Sequence, residues 1–166
     1  AGEYFLVDSG NERGTSSSAG HSKVIFVAGS GELATESSIP SVALACSGSF
    51  LYYAGRGGIN GLKLADMFAS RQSKGQNDNA VTRTVLKKPA EIIAAPGLDN
   101  AVTMAVAGDR VIVGTADGNV VVKNVGGGGE SWSGRVDGRA MGLAVADGRL
   151  FVATDKGAIH CFSAQA

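Results

Sequence analysis

Charge of one sign is missing from this sequence: 15 basic residues balance 15 acidic ones. Without a basic excess there is no electrostatic footprint for a phosphate backbone, so no nucleic-acid partner is expected. Long apolar runs are also missing. None approaches the ~18 residues of a membrane helix, so no membrane span is expected. There are 2 cysteines, Cys46 and Cys161, too few for a disulfide scaffold. They could pair, and spacing does not decide it. Proline is scarce, with 3 residues, and no Gly-X-Y period occurs, which excludes collagen. No charged segment followed by an apolar one marks a signal peptide. The chain opens on Ala1, which implies either a removed leader or a piece of something longer. No compartment is assigned.

Glycine is abundant instead, at 25 of 166 residues, about twice the usual ~7%. Hydrophobic residues make up 44%, enough to bury a core. Glycine together with valine and alanine points to short strands and many turns.

The dominant feature is a repeat. Met104 to Thr115 aligns without a gap on Leu143 to Thr154, an offset of 39 residues. The match continues through Gly118 and Gly157, then Val120 and Ile159. A third copy spans Leu44 to Gly55, and a degraded fourth lies around Lys23 to Gly29. In each, an apolar run meets a turn. Gly108-Asp109 and Asp147-Gly148 suit the positive φ of a tight hairpin. A second apolar run, a second turn at Asp117-Gly118 or Lys156-Gly157, and a third strand follow. The strands are apolar at consecutive positions, as strands covered on both faces are. A period of ~40 residues with up to four short strands per unit describes a β-propeller blade. The expected fold is all-β: one domain over 1–166 with blade-like units at about 22–62, 84–125 and 130–162.

Trp132-Ser133, then Val136 to Phe162, resembles the repeat of pyrroloquinoline-quinone-like (PQQ-like) β-propellers. The match is good over 130–162, fair over 101–125 and partial over 41–64. This resemblance implies a propeller fold and a tryptophan packed between blades. It implies no quinone, because most such repeats bind none. Propellers of this kind usually have six to eight blades, whereas this chain holds three or four. A fragment or a self-assembling partial propeller is therefore expected ahead of a closed four-bladed ring.

Outside the repeats, Glu3 to Val7 reads as a strand, one that would be the outer strand closing the last blade. Residues 63–88 form an insertion. Leu64, Met67 and Phe68 recur at helical spacing, which predicts a short helix over 64–72. The stretch from Arg71 to Asn79 reads as a polar loop, and Ala90 to Ala95 as a strand. Residues 8–22 read as loop and 126–129 as a flexible connector. The insertion is the first place to look for binding.

Chemistry is sparse. Gly29 to Ala34 matches G-x-G-x-x-A, but no amphipathic helix fits before Pro40 and no acid stands ~20 residues on. It reads as a turn. His160 and Cys161 are adjacent, but neighbours on a strand point to opposite faces and cannot easily share a metal. Cys46 aligns with Val106 and reads as a buried small hydrophobe. Asp109, Asp117, Asp147 and Asp155 recur with the repeat, as hairpin turn residues do. Asp66 and Asp99 have no carboxylate partner for acid–base work. No catalytic, cofactor or metal residue is nominated, and no cofactor is expected. The reading is a non-catalytic propeller module for protein or ligand interaction, completed by self-association or a longer chain. The alternatives are a structural subunit polymerising through exposed blade edges, and a piece of a PQQ-dependent dehydrogenase. The last would require adjacent cysteines and paired acids, which the sequence lacks.

Overall fold

The computed structural model describes residues 3–8, 23–35, 37–39, 41, 43–55, 58–74, 79–95, 98–126 and 132–163. The expected loop over 8–22 and the connector over 126–129 lie almost entirely outside these residues.

The fold is a stack of antiparallel sheets, and the described residues contain no α-helix. The first sheet pairs β1 (Tyr4–Asp8) with β2 (Lys23–Val27). Bridges from Phe26 to Leu33 and from Lys23 to Ile39 lay residues 33–39 along its other side. The second sheet has the order β3 (Leu44–Ser47), β4 (Phe50–Gly55), β5 (Gly58–Lys63), β8 (Glu91–Ala94). Between β5 and β8 come a single 3-10 turn, Leu64–Asp66, and a hairpin of β6 (Phe68–Lys74) and β7 (Ala80–Leu86). The third sheet runs β9 (Ala101–Ala107), β10 (Arg110–Thr115), β11 (Asn119–Asn124), β12 (Trp132–Arg135). The fourth runs β13 (Ala140–Ala146), β14 (Arg149–Thr154), β15 (Ile159–Ser163). Inner strands β3, β9 and β13 lie side by side.

Two expectations are corrected. The helix over 64–72 shrinks to one 3-10 turn followed by a strand. Met67 is buried, but the residues after it pair with Thr82, Thr84 and Val85 across the hairpin, and that pairing overrides the local apolar spacing. The polar stretch after Arg71 likewise continues as strand through Lys74. The second correction concerns β1, which pairs with β2 and does not complete the last sheet. The strand read at 90–95 is present as β8, the outer edge of the second sheet.

Three apolar layers lie between successive sheets. Ile25, Ile39, Leu51, Leu62 and Met67 fill the first gap. Tyr52, Ile59, Ile93, Met104, Val111 and Val113 fill the second. Ile112, Val120, Ala140, Leu150 and Val152 fill the third. Consecutive residues of one strand serve opposite gaps, because side chains alternate across a strand. Val111 faces the second sheet and Ile112 the fourth, so the middle sheets must be apolar on both faces.

Close backbone approach selects glycine at two turns. Gly58 has φ 150°, and a Cβ there would lie 2.1 Å from the Ile93 carbonyl oxygen. Gly118 has φ 83°, and a Cβ would stand 2.5 Å from the Val136 oxygen.

The stacking assigns very different costs to related residues. Ile59 is 0% exposed, and Ile59→Ala is expected to destabilise by about 2–5 kcal/mol. Ile159 is 74% exposed, and Ile159→Ala is expected to cost under about 0.5 kcal/mol. Urea melts of the two variants check the contrast.

Candidate functional site

Equivalent strand positions locate the surface that differs from the rest of the stack. Ile59, Val120 and Ile159 occupy the same place in their sheets, paired with Ala54, Gly114 and Ala153 respectively. The first two are 0% exposed and the third is 74% exposed. Tyr52, Ile112 and Phe151 are likewise equivalent, and of the three only Phe151 has no sheet of described residues in front of it. Together with exposed Met141 and Cys161, these side chains form an apolar outer face on β13–β15. At the opposite end of the stack, Phe5 and Phe26 are paired across β1 and β2, with stacked rings 5.3 Å apart. Phe5 is 43% and Leu33 51% exposed, so the first sheet also presents an apolar outer face.

A cleft of about 850 Å³ separates the outer parts of the third and fourth sheets. Ile112, Val145, Leu150 and Phe162 line it, with Arg110 and Arg149 at its edge. Trp132, on β12, meets Phe162 edge-on at 5.1 Å while remaining 40% exposed. It therefore bridges two sheets at their rim.

The other sequence candidates fall into structural places. Residues 28–30 form a turn leading from β2 into residues 33–39, with no helix start. His160 and Cys161 alternate across β15: His160 pairs with Val152 toward the core and Cys161 with Phe151 on the outer face. The His160 Nε2 is buried without a hydrogen-bond partner among the described residues. Cys46, expected to be buried, is exposed on β3, because that strand is the edge of its sheet and the described strands of the first sheet do not cover it there. Both cysteines are free. Among the described residues no three His, Cys, Asp or Glu side chains gather as a metal site. No helix there is long and apolar enough to cross a membrane.

The recurrent aspartates hold turns. The Thr115 hydroxyl donates to Asp117 Oδ1 at 2.5 Å and accepts from the Asn119 N–H at 2.9 Å. This hydrogen bond holds the Asp117 carboxyl below its ordinary value. Asp155 accepts from the Arg139 N–H at 2.8 Å, and Asp147 adopts φ 49° in its hairpin. In the last sheet, Lys156 stands where the third has Asp117. Lys156 pairs with Asp137 at 2.5 Å, and the Thr154 hydroxyl is buried without a partner among the described residues. The repeat alignment already sets Lys156 against Asp117.

The 63–88 insertion works as a clamp between the first two sheets. Thr35 donates to the Thr84 carbonyl at 2.8 Å, and the Leu86 N–H donates to Ser37 at 3.2 Å. Tyr4 and Phe68 meet edge-on at 5.3 Å. A second clamp joins the second and third sheets. Tyr52 donates to Glu91 Oε2 at 3.3 Å, and the Gly126 N–H donates to Glu91 Oε1. Burial, then the Glu91 charge, pushes the Tyr52 phenol up to about 12.

No family model matches the chain, and no curated protein matches it. Solved structures do. The computationally designed Ika4 protein superposes with a TM-score of 0.53 at 13% identity, over 97% of this chain and 85% of that one. BamB from Moraxella catarrhalis gives a TM-score of 0.53 at 15% identity, over 97% of this chain and 40% of its own. The designed Ika8 protein gives 0.51 at 15% identity, over 96% of this chain and 55% of its own. These are β-propeller proteins, and the fold of this chain is of the β-propeller class. The chain spans well under two thirds of the BamB and Ika8 chains.

Two pH dependences follow. The folded value of Tyr52 lies above its ordinary 10.0, so its stabilisation is whole below pH 10 and fades as pH rises toward about 12. Tyr52→Phe should therefore lose less stability than the parent over that interval in melts followed by circular dichroism. The Asp117 value is lowered, so its stabilisation holds above the ordinary carboxylate value of 3.8 and is lost as pH falls below it. Asp117→Ala should cost about 0.5–1 kcal/mol at neutral pH and flatten the acid limb of the stability profile.

Proposed function

We propose that this chain is a non-catalytic β-propeller interaction module that works by having its open stack of sheets completed by another protein surface. One observation carries this reading: Ile159 is 74% exposed where its equivalents Ile59 and Val120 are 0% exposed. A position that the fold seals twice is left open the third time. Contiguous exposed apolar surface of this kind marks an interaction site. The site's chemistry also favours contact over catalysis. Its side chains are apolar, and the aspartates nearby are engaged in turns and ion pairs.

The test is binding of a hydrophobic-surface dye, such as bis-ANS, measured together with native mass by light scattering. The expected result is either dye binding by a 16.7 kDa species or a larger species. Ile159→Lys should reduce whichever is seen. A 16.7 kDa species that binds no dye would show the face to be covered and would overturn the proposal.

A further inference from the structure

We infer that the partner completing the stack is a second copy of this chain, docked head to tail: the outer face of β13–β15 of each copy meets the outer face of β1 and β2 of the other. The inference rests on the reading of the chain as an open propeller and names the occupant of its open faces.

The two faces are of complementary kinds. In every internal gap, a forward face of the Tyr52 or Ile112 type meets a rear face of the following sheet, of the Val111 or Leu150 type. The face bearing Met141, Phe151, Ile159 and Cys161 is forward. It cannot repeat the internal packing against another forward face. It needs a rear one.

The free face of the first sheet is rear. Its Leu6 and Ile25 pack on the second sheet, so the paired Phe5 and Phe26 point the other way, toward where a preceding sheet would lie. Strand order supports the same frame. Residues 33–39 lead directly into inner strand β3, just as outer strand β12 leads into inner strand β13. Residues 33–39 thus hold the outer position, β2 the third and β1 the second. One chain carries both halves of the missing interface.

Stoichiometry agrees with this docking. The described residues of each chain supply four stacked sheets besides the β6–β7 hairpin, so two copies supply eight, within the usual size range of closed propellers. A contact between unlike faces closes only if its rotation completes a ring, and two such contacts close this one.

Complementation tests the inference. Ile159→Asp spoils the forward face and Phe5→Asp the rear face, both at exposed positions where folding is not at stake. The parent should sediment at about twice 16.7 kDa. Each variant alone should dimerise at least about tenfold more weakly, because a carboxylate would be buried in both contacts. An equimolar mixture should recover the dimer, because one of its two contacts is intact. Circular dichroism of each variant verifies its fold.

A dimer lost with Ile159→Asp but kept with Phe5→Asp would mean like faces meet, and would overturn the inference. Mass growing without limit as concentration rises would mean open filaments, and would overturn it too. A parent that stays at 16.7 kDa while binding the dye would overturn the second-copy partner and leave the proposed function standing.

Discussion

The stacking of one sheet on the next is the interaction on which the rest of this structure depends. Each gap is filled mainly by apolar side chains from both sides. Full burial of one such side chain stabilises by roughly 1.5–3 kcal/mol. The exposed ion pairs Asp66–Lys87 and Asp137–Lys156 are worth far less, since solvent screens them. Cohesion is therefore local and sequential, as in repeat proteins, where each unit leans on its neighbours.

That constraint explains where the polar chemistry sits. Asp117, Asp147 and Asp155 sit at strand ends, where they hold hairpin turns. The two clamps, Thr35 and Ser37 on the β6–β7 hairpin and Glu91 between Tyr52 and Gly126, lie at the rims. A stack built this way has two special members, the first and the last. Each has one apolar face that no sheet among the described residues covers.

Departures from the repeat are as informative as its regularities. Lys156 in place of the repeated aspartate gains an exposed ion pair, and the Thr154 hydroxyl is buried without a partner among the described residues. Such an orphan costs about 1–3 kcal/mol, more than the ion pair returns. The last sheet is thus less well satisfied at its turn than the third, as well as open on its outer face.

Much of the fold was legible in the sequence. The 39-residue offset, the hairpin turns and the consecutive apolar positions are local patterns, and they specified antiparallel units covered on both faces. The turn roles of Asp117 and Asp155 were legible for the same reason. The partner of β1, the hairpin at 68–86 and the exposure of Cys46 were not. Strand pairing is a contact between distant segments, and Leu64, Met67 and Phe68 look alike on a helix or at the mouth of a hairpin. The blade count predicts open faces, but which residues they leave bare was not legible. Val120 and Ile159 are interchangeable letters in a repeat, and one is sealed and the other bare only because a sheet follows the third and none of the described residues follows the fourth. Composition and period determined that each sheet would seek two neighbours; the tertiary structure alone decided which sheets obtained them, because burial belongs to the assembled stack and not to any residue in it.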